Sequence, residues 1–168
     1  NPVGGEDTWR GGDGPLHTQS AKSQDPLWEA WLEAGMTAGI GYTEDYNGEK
    51  QEGLGRSQSN IHEGRRHSAA TAFLRPAMRR GNVDLRVSTP VSRVVMDGKR
   101  AVGVEFIRLG RPQIIRAAKE VVLSGGVFNS PQLLMLSGIG PADHLRSVGV
   151  EPVIDSPYVG KNLQDHLA

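Results

Sequence analysis

The stretch Lys119–Gly140, KEVVLSGGVFNSPQLLMLSGIG, restricts the fold more than any other part of the chain. Glu120–Ser124 contains an unbroken apolar run, Val121-Val122-Leu123, the pattern of a strand covered on both faces in a parallel sheet. Gly125 and Gly126 follow, with no β-carbon to keep another backbone or a ligand at a distance. Ser130 suits an N-cap and Pro131 the first helical position, where a missing N–H costs nothing. Gln132–Leu136 is mostly strong helix former, and Gly138 suits a left-handed helix stop. A strand that feeds a helix through glycines sets a helix N-terminus beside a ligand in many α/β proteins. A plain, tightly packed β-α unit has the same sequence pattern, so geometry alone leaves both readings open.

Around this stretch the chain reads as one α/β domain of ordinary size, long enough at 168 residues for a real core. Asn1–Ser23 is polar and glycine-rich, with a short strand expected at Leu16–Thr18. Asp25-Pro26 opens a helix over Leu27–Ala34, stopped at Gly35, with Trp28 and Trp31 as core anchors. Gly39–Gly64 is the least regular part, a binding loop or a solvated excursion, with a turn signal at Asn47-Gly48. Ser68 caps a helix over Ala69–Leu74, which Pro76 kinks or restarts ahead of Arg79, Arg80 and Gly81. Alternation then predicts an antiparallel meander. Its strands are Val83–Val87, Val91–Met96, Ala101–Leu109 and Gln113–Ala118, with a hairpin turn at Asp97-Gly98. A short helix at Ala142–Val148 closed by Gly149, and a strand at Val150–Ile154, complete the reading.

Several chemistries are disfavoured. Nineteen basic residues balance nineteen acidic ones, so no basic excess points to nucleic acid or an anionic membrane. Cysteine is absent, which removes disulfides and thiolate sites. No apolar run reaches the roughly 18 residues of a transmembrane helix. The five histidines, His17, His62, His67, His144 and His166, lack metal-type spacing. Neither Ser124 nor Ser137 lies in a G-x-S-x-G elbow, and there is no G-x-G-x-x-G or Walker loop. Arg65, Arg66 and His67 are a candidate anion site, although such a cluster is more often a solvated edge. The residues alone carry the reading to an α/β domain with a nucleotide as one candidate ligand.

GGVFNSPQLLMLSGIGP (Gly125–Pro141) resembles the second signature of the glucose–methanol–choline oxidoreductases, flavoenzymes that bind FAD and oxidise alcohols. Trp9–His17, Thr43–Gly55, Gly64–Arg80, Gly98–Phe106 and Val159–Leu167 resemble the family in the same order, the first three most like its choline dehydrogenase branch. The resemblance implies part of a Rossmann-like FAD-binding domain with an antiparallel β-meander, and part of a substrate-binding domain. It divides the chain into a loop-rich 1–63, partly substrate-binding, an FAD-domain portion 64–149, and a connection 150–168. It implies that the backbone of Val91 touches adenine and that Gly125 and Gly126 lie against the dinucleotide. It also implies a small alcohol as substrate, choline among the candidates, with the electron acceptor left open. The family's phosphate loop is expected upstream of Asn1 and its catalytic histidine downstream of Ala168, so the chain reads as an internal piece with no catalytic residue. The family usually has alanine, glycine, alanine and isoleucine where this chain has Gly125, Gly126, Val127 and Phe128, and the bulkier pair is expected to alter packing beside the flavin. In choline-handling members a glutamate follows the stretch matching NLQDHL; here Ala168 stands there, which suits a neutral alcohol better than a cation. Two alternatives remain at this point, a hydroxynitrile lyase of the same family and a non-catalytic nucleotide-binding module.

Overall fold

The computed structural model describes residues 8–9, 11–22 and 24–166. Arg10, within Trp9–His17, and Leu167 and Ala168 lie outside them. The chain forms two compact units that divide between Leu85 and Arg86.

In the first unit, β1 (Gln19–Ser20) pairs antiparallel with β2 (Gln58–Ser59). Between them lies α1 (Pro26–Thr37), which begins as its sequence requires: the Asp25 carboxylate accepts from Leu27 N–H at 2.9 Å, and Pro26 takes the first turn. Gly35 does not stop it. Gly35 is buried inside the helix because the Leu54 side chain occupies the space a β-carbon would need, and the chain turns out only at Gly39, φ 81°. The irregular stretch after α1 is tied to Thr43, whose buried hydroxyl donates to Lys50 C=O at 2.7 Å. Asp45 continues the network, accepting from Asn47 N–H and from Gln58 Nε2. The strands β3 (Ile61–His62) and β4 (Arg65–Arg66) form a tight hairpin through Glu63 and Gly64, both at positive φ. A π-helical turn, Ala70–Leu74, then runs into α2 (Arg75–Arg79), so Pro76 restarts the helix in its first turn.

The second unit is built on a three-stranded meander, β5 (Val91–Asp97), β6 (Arg100–Arg108) and β7 (Arg111–Arg116), in the order β5-β6-β7. Helix α3 (Gly126–Leu136) packs against β5. At the end of α3 the Ser137 hydroxyl donates to Leu133 C=O at 2.6 Å and accepts from Val94 N–H at 2.8 Å. Gly138 ends the helix at φ 81°, and a β-carbon there would lie 2.7 Å from Glu151 O. Beyond it β8 (Ile139–Gly140), α4 (Ala142–Ser147) and β9 (Ile154–Asp155) form a small parallel β-α-β unit. Asp155 closes it by accepting from Ala142 N–H at 3.0 Å, a cap that Pro141 cannot provide.

Several expected elements differ. Glu120–Ser124 is extended but pairs with nothing among the described residues. A parallel strand exists only through ladder bonds to its neighbours, and Val122 is 75% exposed. Val83–Val87 forms no strand ladder among the described residues, so the meander has three strands there rather than four. The strands expected at Leu16–Thr18 and Val150–Ile154 appear instead as the two-residue pairs β1 and β9. Trp31 is half exposed rather than a core anchor, and Leu27 is more exposed still, because no described segment covers that face of α1. The buried apolar set among the described residues is correspondingly small: Ala72 in the first unit, and Val94, Phe106 and Leu145 in the second.

The meander generates two predictions. Leu109 occupies the β6–β7 turn at φ 51°, followed by Gly110 at φ 72°, and its side chain is 93% exposed. Leucine is strained there and contributes no packing, so Leu109→Asn is expected to stabilise by about 0.5–1 kcal/mol, read as a higher Tm. Across the meander, Arg93 donates to Glu105 at 2.9 Å and Ser92 donates to its other oxygen at 2.9 Å. These bonds, Arg93 first, hold the Glu105 carboxyl below its ordinary value of 4.5 and raise the Arg93 guanidinium. The folded carboxylate binds its proton less readily than the unfolded one, so this stabilisation is complete above the ordinary value and lost as pH falls through the lowered one. The Tm difference between the unmodified protein and Glu105→Gln should therefore be constant near neutrality and shrink below pH 4.5.

Candidate functional site

The start of β5, the extended segment before α3 and one face of α3 enclose a cleft of about 440 Å³. Val91 forms one edge, and Val122, Leu123, Ser124 and Gly125 form another. Asn129, Gln132, Leu133 and Leu136 close it from the helix. These four recur at i, i+3, i+4 and i+7, which puts them on one helical face. That periodicity was available in the sequence and marks the lining residues that motif reading passes over.

The helix supporting the cleft starts differently from the sequence expectation. Ser130 is not its N-cap and Pro131 is not its first residue: α3 begins at Gly126, with Pro131 inside it. The two glycines explain the change. Gly126 turns the chain at φ 85°, so the helix begins about a turn and a half early. Ser130 then reaches back one turn, and its hydroxyl accepts from Gly125 N–H at 3.0 Å. A β-carbon on Gly125 would lie 3.1 Å from Asn129 Cβ and 3.3 Å from Ser130 N, too close without displacing the helix start. Gly126 has open space around it, so its φ rather than crowding selects glycine.

Of the three residues expected to contact a cofactor, the structure brings Val91 and Gly125 to the same cleft, and Gly126 does not line it. Along 120–124 no backbone group bonds to another described segment, so N–H and C=O groups remain there beside apolar side chains. Apolar walls with unpaired main-chain groups suit a flat heteroaromatic ring that offers both a donor and an acceptor along its edge. Val127 and Phe128 lie elsewhere. They line a second cleft, with Met135 and the residues Gly160–Gln164, and so do not narrow the one shared by Val91 and Gly125.

The GMC oxidoreductase family model matches residues 6–168. The chain belongs to this family. As a GMC chain it is 53% identical over 164 residues to the oxygen-dependent choline dehydrogenase of Sinorhizobium medicae, covering 98% of this chain and 30% of that protein. It is 54% identical over 168 residues to the enzyme of the same name from Brucella ovis, covering 99% of this chain and 30% of that one. Among solved structures it is similar to pyridoxine 4-oxidase from Mesorbium loti, with a TM-score of 0.78 and 35% identity over 88% of this chain and 29% of that one. It is also similar to a formate oxidase, with a TM-score of 0.83 and 31% identity over 93% and 27% of the two chains. The α/β class holds across these neighbours, and the chain spans about 30% of the length of the curated relatives it matches.

The first unit of this GMC chain holds a histidine cluster that sequence spacing did not reveal. The His17 ring stacks on His62 with centroids 3.9 Å apart, and His67 meets His17 edge-on at 4.9 Å. His17 N–H donates to His67 Nδ1 at 3.1 Å, while the His62 side chain lies 3.9 Å from the Glu63 carboxylate. No group suited to a metal ion occurs among the described residues. Loss of solvent lowers the His17 pKa, and the neighbouring His62 and His67 lower it further against a smaller opposing pull from Glu63. Above the ordinary value of 6.5 His17 is neutral whether folded or not. Below it the unfolded chain binds the proton first, so stability declines until the lowered folded value is passed. An NMR titration of the ring protons should place His17 below 6.5, and His17→Gln should flatten the fall in Tm on its acid side.

Proposed function

We propose that the chain forms the adenine-side part of the FAD site in an alcohol oxidoreductase. One observation carries the reading: in a GMC chain, the cleft at the start of α3 is lined by both Val91 and Gly125. The residues fit the cofactor. Gly125 lets the 120–124 segment pack against Asn129 and Ser130 at the helix start, and the main-chain groups of 120–124, which bond to no other described segment, would match the donor and acceptor along an adenine edge. Val91 contributes main chain at the rim of the slot, Val122 and Leu133 flank the ring, and Gly125 and Gly126 admit the dinucleotide close to the helix start. On this reading residues 64–149 belong to the FAD domain and part of 1–63 to the substrate side. The strand partners of 120–124 then come from sequence corresponding to the rest of the longer relatives.

FAD, when bound, supplies a two-electron acceptor for hydride leaving the carbinol carbon of an alcohol. This chain's part is to hold the nucleotide end rigidly, which fixes the other end relative to substrate. We assign none of its histidines a proton-transfer role. Choline is the substrate we infer, because the relatives from Sinorhizobium medicae and Brucella ovis are choline dehydrogenases.

The test uses the full-length protein that contains this chain. Anaerobic mixing with choline or with a neutral primary alcohol should bleach the visible flavin absorbance, and the two rates decide between choline, which the relatives favour, and the neutral alcohol that Ala168 suits. Flavin unchanged by choline and by neutral alcohols, with cyanide released from a cyanohydrin, would refute the oxidoreductase reading.

A further inference from the structure

The cleft is formed by two elements whose separation depends on how β5 sits on α3. Three features give Ser137 control of that separation. β5 is an edge strand of the meander, and α3 packs against it. The β5–β6 register slips between Val91, which pairs with Phe106, and Arg93, so the rim residue is separated from the main run of the ladder by an irregularity. Val94, three residues farther along β5 and only 5% exposed, directs its N–H to the Ser137 hydroxyl at 2.8 Å. That hydroxyl gives its own proton to Leu133 C=O at 2.6 Å, and Leu133 lines the cleft. Donor and acceptor roles are both used, so the bond has one orientation and no slack.

We propose that Ser137 is a positioning residue: by locking α3 to β5 it sets the spacing between Val91 and Gly125, and so the grip of the cleft on the adenine-bearing half of FAD. The proposal rests on the FAD reading above. Alanine at this position would leave the Val94 N–H buried without a partner and free the edge strand to move away from the helix.

The experiment uses full-length protein stripped of flavin, with ADP and FMN as separate probes for the two halves of the cofactor. Ser137→Ala should weaken ADP about tenfold and leave FMN affinity unchanged. Leu145→Val, at a buried residue of α4 that does not line the cleft, should lower Tm without separating the two ligands. Ser137→Cys keeps a weak donor and acceptor at the same place in a slightly larger side chain, so it should show the same split at smaller amplitude and serves if the alanine variant does not fold. Parallel losses of ADP and FMN in the Ser137 variants, or no loss of either, would overturn the positioning role while leaving the FAD site standing. Unmodified protein that binds neither ADP nor FAD would refute the FAD reading itself, and this proposal with it.

Discussion

The second unit depends on the buried Ser137 hydroxyl, which joins the edge of a β-meander to the end of a helix. Edge strands carry unpaired N–H groups that need water or a partner. Here one such group is buried at Val94, and a helix-terminal serine satisfies it while also accepting a place in its own helix ladder. Phe106 and Val94, both buried, give the meander a small apolar anchor, and α4 contributes Leu145. Hydrogen-bond geometry rather than buried area therefore sets the seating of these elements.

The same balance explains the cleft. Val121-Val122-Leu123 has the composition of a doubly covered strand, yet Val122 is exposed and the segment has no ladder within the described residues. Its backbone groups bond to no other described segment and stand beside apolar side chains, next to a helix start that packs closely on Gly125 and turns at Gly126. That combination would be a liability on an ordinary surface, because it presents apolar side chains and unpaired polar groups together. As one wall of a nucleotide site, flanked by further strands, it is a consistent arrangement.

The histidine cluster illustrates a different relation between sequence and site. His62 and His67 are five residues apart, and His17 is far from both, so no spacing rule connects them. The β3–β4 hairpin and the backbone bond from His17 to His67 bring the rings together. Loss of solvent, and then the neighbouring His62 and His67, lower the pKa of His17.

Local rules in the sequence determined the features that act over a few residues. The Asp25–Pro26 helix start, the left-handed stop at Gly138, the turn at Gly98 and the alternating meander strands all follow from capping, positive φ and side-chain period. The family signature likewise placed Val91 and Gly125 among the candidates, and the structure sets both on one cleft. Tertiary structure alone decided what depends on partners distant in the chain. It gave 83–87 and 120–124 no ladder among the described residues, moved the start of α3 from Pro131 to Gly126, and exposed Trp31. It also gave Ser137 a partner 43 residues away. Caps and turns are satisfied by neighbours that the sequence itself displays, whereas strand pairing, burial and the cleft require surfaces brought together only when the chain folds.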